Sequence, residues 1–523
     1  MSSETEIFDQ KIICAPEHVT QTESLIREAI QLFQIQRHPE LSAKQIDFLC
    51  HPWVHFFTHS ALHRLEVQCE SSIINSSDNI LANLESDFPV PGDTLSFMEF
   101  SRTPAYRIYL DESLAGHKTR PTTRTSMHIL HQNMPKQVST VAFMSCLPRR
   151  IRYLLPIFSL GKIRFLENKT DELEIPIDPL LRIKFGKFIE KILAKEGLQK
   201  ASWLAARVIE LFPRSLLENL HDNLLNKKKD FPRKILYSAN GWQLIDDWKI
   251  YAISQKLIHK AHWIGTPHAM SHGSLAIYWQ RDFEIFHMDT YLTWGWSHNK
   301  SKNRNTVPFY SPYFAGQKRY KPRNLFSDNS ILISAAARPQ HLLEYPYTPE
   351  RFENYLKTQL RLAAEVNKIT RISTVIRTRP NDLGWNMEAM ISSLKNTEIT
   401  LEFQKGKFTD RLKKSRLHIC DNCSTTIIDS LWENHPTLVM ITDEYFQISP
   451  FSHEEYHELI SAGIFHTTAE SLLNQLKIIE HKIEFWWNGK DTQKAINLFL
   501  NRQARHGSGL LTWHKALSRP ETI

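Results

Sequence analysis

The amino-acid sequence predicts an α/β protein of two doubly wound, Rossmann-like lobes, with a partly helical N-terminal elaboration and a helix returning at the C-terminus. Three observations lead there. At 523 residues the chain is too long for one compact core, and two large domains are the natural division. Two blocks, residues 139–310 and 330–482, alternate short β-branched runs with helix-period runs, the signature of parallel βαβ units. Between the blocks, residues 300–329 are rich in Asn, Lys, Pro and Ser, which is linker chemistry, with the linker proper at 311–329.

Composition bounds the function. Hydrophobic residues at 41% and charged residues at 23% are an ordinary globular balance, and 13 tryptophans with 28 phenylalanines against 16 glycines exclude a disordered chain. Met1–Gln10 is polar and acidic with no apolar h-region, and no run approaches the roughly 18 apolar residues of a spanning helix. Six scattered cysteines do not make a disulfide framework at this length. A cytoplasmic location is expected. The net charge of +8 and a pI near 9.0 admit nucleic acid, an anionic membrane surface or anionic substrates as partners. No recognition motif or aromatic–basic platform accompanies the charge, so nucleic acid is not expected.

Taken in order, residues 1–138 form the elaboration. Residues 41–70 read as a helix whose four-residue spacing puts His51, His55, His59 and His63 on one face. No carboxylate stands at zincin spacing and Pro52 is expected at the helix start, so the histidines read as packing rather than metal ligands. The first block then gives β runs at Ser139–Met144, Lys162–Leu166, Lys234–Ser238 and His262–Gly265, with a long basic helical region to Leu225 and a helix around Asp247–His259. Arg149, Arg150 and Arg152, and later Lys184, Lys187 and Lys191 among Phe185, Phe188, Ile189 and Ile192, make basic helices with an apolar stripe. These read either as a membrane-surface element or as a solvated basic face over ordinary core.

The second block alternates more clearly. Strands are expected at Ile331–Ala335, Ser373–Arg377, Glu398–Phe403, Leu417–Cys420 and Thr437–Ile441. Helices are expected at Pro349–Lys368, Asn386–Leu394, Lys407–Lys414, Thr425–Glu433 and Ala469–Lys482. Residues 483–523, with Trp486, Trp487, Phe499 and Trp513 in helical runs, form a tail expected to pack back on the body.

Ligands of open α/β sheets bind beyond the C-terminal ends of the strands, so those loops hold the candidates. In the second block they contain Arg338; Arg377, Arg379 and Asp382; and Asp421, Asn422, Ser424, Thr425 and Thr426 at a helix start. A fourth carries Thr442, Asp443 and Glu444. Small hydroxyl residues at a helix N-terminus offer N–H groups, hydroxyls and the positive dipole end to a phosphate, and arginines neutralise it. Ser424 or Thr425 acting only as a helix cap is the plainer reading, against which the convergence of arginines weighs. The lone Cys420-Asp-Asn-Cys423 has no second pair in register and reads as loop structure.

In the first block, Thr266–Gly273 follows the His262–Gly265 run and sets His268 and His272 among small residues. A histidine there suits a general base for an acceptor hydroxyl or a phosphate contact. Glu284 and Asp289 downstream are carboxylates able to orient or replace it.

The run Pro232–Trp296 resembles a family of transferases encoded in bacterial O-antigen and other surface-polysaccharide clusters. The resemblance rests on Ile235–Asn240, Asp247-Trp-Lys249 with Ala252, His268-Ala-Met-Ser-His272-Gly273, Glu284 and Asp289-Thr-Tyr-Leu-Thr-Trp-Gly-Trp296. That family has a Gln-His-Gly-Gly-type loop ending in Tyr-Gly; here Pro267 stands for the Gln, Ala269 and Met270 for glycines, and His272 for the Tyr. Arg377-Thr-Arg379-Pro380-Asn-Asp382-Leu-Gly384-Trp385 and the run Thr425–Thr437 extend it, so it covers roughly residues 200–450. At longer range the arrangement is similar to bacterial GT-B enzymes using CMP-sugars, such as capsular Kdo and sialic-acid transferases.

The resemblance implies a metal-independent GT-B glycosyltransferase that moves a sugar from a nucleotide-sugar, a CMP-sugar among the candidates, to lipopolysaccharide O-antigen or another surface glycan. It implies no cofactor beyond the nucleotide-sugar co-substrate, a lipid-linked or glycan acceptor, and peripheral contact with the inner membrane. His268, or Asp289, would be the catalytic base. Arg338, Arg377, Arg379, Asp382, Asn422, Ser424, Thr425 and Thr426 would bind the nucleotide. Asp247, His272, Gly273 and Glu284 would lie on the acceptor side. The altered histidine loop keeps a rival reading open, a GT-B-fold scaffold that has lost catalysis. Periodicity alone also permits an epimerase or a phosphorylase.

Overall fold

A computed structural model describes residues 14–70, 87–115, 120–122, 127–129, 135–166, 169–171, 176–198, 200–297, 305–319, 330–378, 383–394, 398–403, 405–442 and 446–523. Arg379, Asp382, Asp443 and Glu444 lie outside the described residues.

The first lobe is a parallel sheet of Thr140–Phe143 (β1), Ile163–Leu166 (β2), Ile235–Ser238 (β3), His262–Gly265 (β4), Thr290–Thr293 (β5) and Thr306–Pro308 (β6), in spatial order β6-β5-β4-β3-β1-β2. The second is a parallel sheet of Ser330–Ser334 (β7), Ser373–Thr378 (β8), Ile399–Phe403 (β9), Leu417–Cys420 (β10), Thr437–Met440 (β11) and Phe465–His466 (β12), in order β9-β8-β7-β10-β11-β12. The central strands β1, β3, β10 and β11 are buried at every position, as expected where helices cover both faces. Strand order reverses between β1 and β3 and between β7 and β10, which opens a crevice at each carboxyl edge.

Each predicted strand is present within a residue or two, and each sheet has strands the periodicity does not flag. β5 hides in an aromatic-rich run, β6 in the linker-like stretch, and β12 is only two residues long. The helix predicted at 41–70 spans Ala43–Glu70, with Pro52 inside it rather than at its start. The missing N–H of Pro52 is tolerated because buried residues pack the helix on either side of it, Phe48 and Leu49 before and Trp53 and Val54 after.

The tail crosses between lobes. Helix Lys490–Gln503 packs on second-lobe helices, then Leu510–Ser518 returns to the first lobe. There the Thr140 hydroxyl donates to the Leu517 carbonyl at 2.8 Å, and Trp513 packs against Tyr237 and Phe309. Among the described residues no helix is long and apolar enough to cross a membrane.

Candidate active site at the seam between the lobes

The loop after β4 meets the second lobe directly. Leu275 and Ile448 form an antiparallel bridge, Ala276 N–H donates to Gln447 at 2.9 Å and Ser449 N–H to Ser274 at 2.7 Å. The Ser452 hydroxyl donates to the Gly273 carbonyl at 2.7 Å, and the Ser271 hydroxyl to the Cys423 carbonyl at 3.1 Å. That last bond sets the histidine loop beside the start of helix Thr425–Trp432. Gly273 is required here, because a Cβ would fall 2.4 Å from Gln503 and 2.5 Å from Trp296.

His268 is half-buried and His272 fully buried. His272 Nδ1 shares a hydrogen bond with the Tyr291 hydroxyl at 2.8 Å, and its Nε2 one with His268 Nδ1 at 3.2 Å. The Tyr313 hydroxyl donates to the His268 carbonyl at 3.0 Å. Burial lowers the His268 pKa to about 4, against a smaller raising effect of the Ala239 carbonyl; His272 is pushed well below the ordinary range by burial, with His268 and Arg281 adding to it. Both rings are therefore neutral at physiological pH. Tyr291–His272–His268 is a chain that fixes the outer ring.

Glu284 lies behind this chain, its Oε2 3.9 Å from His272 Nδ1 and its Oε1 accepting from Gln243 at 2.8 Å. Burial pushes its pKa well above the carboxylate range, although Tyr291 and Gln243 oppose that, and Glu284 is buried behind the chain rather than lining the seam. Asp289 is elsewhere. It precedes β5, at the amino edge of the sheet, where both oxygens accept from Lys256 at 2.7 Å and Oδ2 also from the Trp263 N–H. The expectation that it could replace His268 is corrected: it stands at the opposite edge and is fully engaged there. Asp247 is buried and paired with Lys227 at 2.8 Å, which joins two helices and places it in structure rather than at an acceptor.

On the second lobe, Ser424 sits at the helix N-cap with extended backbone, yet its side chain does not cap. Its hydroxyl bonds the Thr426 hydroxyl at 2.6 Å, and Thr426 in turn contacts Cys420 Sγ at 3.2 Å. Ser424, Thr425 and Thr426 are half-buried. Asn422 bridges the crevice, donating to the Ser334 carbonyl at 2.9 Å and so tying β10 to β7. Asp421 accepts from Tyr355 at 2.6 Å and Gln359 at 2.5 Å, and burial, partly offset by these donors and Asn422, holds its pKa up at about 6. Both thiols of the Cys420–Cys423 pair are buried, which raises them to about 11 and about 12.

The expected arginine convergence is weaker than the sequence suggests. Arg377 is buried and spent on Glu402 and on the Lys405 and Gly406 carbonyls, so it braces the loop after β9. Arg338 pairs with Glu344 at 3.1 Å and lies over the Tyr347 ring at 4.4 Å. Two groups were missed. Tyr291 lies inside an aromatic run in which nothing in the sequence sets it apart from the tryptophans. Asp429, one turn into the helix that Thr425 opens, is pushed up to about 7 by burial and by Glu433, and it acts on Tyr313 beside His268. A carboxylate on a helix that reads as amphipathic gives no signal of this in sequence.

Two parallel, doubly wound lobes with carboxyl-edge loops meeting at one seam and a returning C-terminal helix define a GT-B-type α/β protein. The transferase family model described as "LIC12162 family transferase" matches residues 68–517, and the chain belongs to that family. No curated protein matches the chain. Among solved structures it is similar to TarM, at 12% identity over 55% of this chain and 56% of that one, with a TM-score of 0.35. It is also similar to the pneumococcal O-GlcNAc transferase GtfA in complex with UDP and GlcNAc, at 10% identity over 60% of this chain and 61% of that one, TM-score 0.38. The UDP-GlcNAc 2-epimerase of Methanocaldococcus jannaschii matches at 12% identity over 69% of this chain and 98% of that one, TM-score 0.34. The chain thus spans little more than half the length of TarM and GtfA.

Proposed function

We propose that the protein transfers a glycosyl group from a nucleotide-sugar to a surface-glycan acceptor, with the donor phosphate at the start of helix Thr425–Trp432 and His268 taking the acceptor proton. The observation that carries this is the meeting of two parts: a helix N-terminus with three hydroxyl residues and no side-chain cap, and a neutral histidine oriented through His272 and Tyr291. The free N–H groups and dipole of that helix suit an anion. An unprotonated His268 is available as a base, and a negative donor phosphate bound nearby raises its pKa from about 4 toward the working range. O-antigen or another lipid-linked glycan as acceptor, a CMP-sugar as donor and peripheral membrane contact are finer parts of the same reading. The exposed Tyr153, Ile157, Phe158 and Leu160 beside Arg149, Arg150 and Arg152 support the membrane contact.

Because the helix terminus neutralises the leaving phosphate, turnover is expected to be independent of added magnesium or manganese; strict dependence on either would contradict this part. Thermal-shift screening against CMP, CDP, UDP and GDP identifies the base, since a ligand at about 100 times its Kd adds about 2.7 kcal/mol of stability. The scaffold reading predicts binding without turnover.

A further inference from the structure

The histidine face of helix Ala43–Glu70 is not only packing. Glu23, from the preceding helix Glu17–Arg37, reaches across to it. Its Oε1 lies 3.1 Å from His51 Nε2, and its Oε2 lies 3.2 Å from His55 Nδ1 and 3.1 Å from His59 Nε2. One donor atom each from Glu23, His51 and His55 lie within 4.8 Å of one another. Zinc–ligand bonds of about 2.0–2.1 Å set tetrahedral donors about 3.3 Å apart, close to the Glu23–histidine spacings.

We propose that Glu23, His51 and His55 bind one divalent transition-metal ion, zinc by donor type. The surroundings are those of a supported metal site. His59 Nδ1 accepts the Tyr345 N–H at 3.2 Å, so its Nε2 keeps the proton and holds the Glu23 carboxylate. Asp47 stands 3.8 Å behind His51 Nδ1 and is itself held by Arg27 at 2.8 Å and His287 at 3.3 Å. At that distance Asp47 acts on the ring by its charge rather than through a hydrogen bond, and a negative charge close behind a ligating imidazole strengthens it as a donor. The second, independent observation is an adjoining cavity of about 230 Å³, lined by Glu23, His55, His59, Tyr278 and Glu344. His55, more than nine-tenths buried, lines it and faces Glu23 through Nδ1, while its Nε2, across the ring, has no partner among the described residues. Water or a small anion would complete a tetrahedral set. The cavity also joins the elaboration to Tyr278, which packs on His272, and to Glu344, which pairs with Arg338.

The test reads metal, not activity, and so stands apart from the transferase reading. Full-length chain without a histidine tag is stripped by a chelator, then titrated with zinc and with cobalt. The expected result is one ion per chain, a raised melting temperature and the intense visible bands of tetrahedral cobalt. His55→Ala should weaken zinc by about a hundredfold and Asp47→Asn by about tenfold, the scale of losing an outer-shell partner. His221→Ala, in the separate and more exposed His38, Glu40, His221 group, should change nothing. No tight zinc in the wild type, octahedral cobalt, or a site lost in His221→Ala and kept in His55→Ala would each overturn the proposal. Should His55→Ala fail to fold, the wild-type cobalt spectrum and Asp47→Asn decide it.

Discussion

The loops after β4 and β10 occupy equivalent places, each at a carboxyl edge and each opening a helix, yet they are built in opposite ways. The first is locked: His272 and Gly273 are buried, the backbone is paired to residues 447–452, and the histidines are wired to Tyr291. The second keeps its hydroxyls half-exposed, and the side chain of its N-cap residue, Ser424, does not cap the helix. On the proposed function, the difference is a division of labour. A fixed proton-handling group needs a rigid frame, whereas an anion site needs N–H groups left unspent by the fold.

Thr425→Glu breaks the comparison most sharply. A carboxylate at a helix start stabilises the helix by about 0.3–1 kcal/mol but repels a phosphate. Nucleotide affinity by calorimetry is expected to fall by roughly a hundredfold, a loss of about 2.7 kcal/mol, with the melting temperature unchanged or raised. Equal affinity would place the phosphate elsewhere.

Gly273→Ala attacks the locked loop. A Cβ there would meet Gln503 and Trp296 well inside contact distance, and overpacking of this kind costs about 1–3 kcal/mol. Denaturant unfolding should show that loss, and wild-type stability would mean that the seam is looser than described. His272→Ala leaves the Tyr291 hydroxyl and His268 without their shared partner, and a lost buried partner costs about 1–3 kcal/mol. It should lower the melting temperature more than His268→Ala does; the reverse order would make His268 the structural member of the pair.

The smallest effect is a pH dependence at Asp429. Its carboxyl, ordinarily at 3.8, is held up to about 7 by burial and Glu433, so the folded chain keeps a proton that the unfolded chain releases. Stability is lost as pH rises between those values, and the cost is complete above about 7. Asp429→Asn removes it: the melting temperature should match wild type near about pH 4 and exceed it by a few degrees near about pH 8. Parallel curves would show that Asp429 titrates normally.

Both sheets were legible because parallel strands buried on two faces read as apolar runs at regular spacing. β5 and β6 were not, since aromatic residues and a polar, proline-containing stretch mask their period. Ser424, Thr425 and Thr426 could be placed from sequence because a strand end and a helix start are both local features. Asp289 could not be placed correctly: nearness in sequence to the His268 loop said nothing about which edge of the sheet it occupies. Arg377 looked like a phosphate ligand until Glu402, from the neighbouring strand, supplied its partner. Glu23 is the clearest case. The histidine face was visible by periodicity, but its carboxylate comes from another helix, so sequence spacing along the histidine helix had no means of showing it. The Leu292–Trp296 run, the most specific part of the family resemblance, is structural: Trp294 and Trp296 are buried, and Gly295, at φ +112°, lies against the Asn501 carbonyl of helix Lys490–Gln503.

Nucleotide release is the sharpest test of glycosyl transfer at this seam. Wild type and His268→Ala are each incubated with CMP-, UDP-, GDP- and TDP-sugars and a lipid-linked glycan acceptor, and free nucleotide is followed over time. The expected result is acceptor-dependent release of one nucleotide by the wild type, slower by about a hundredfold in His268→Ala at an unchanged melting temperature. Tight nucleotide binding with no release from any donor, or equal rates in the two proteins, would contradict it.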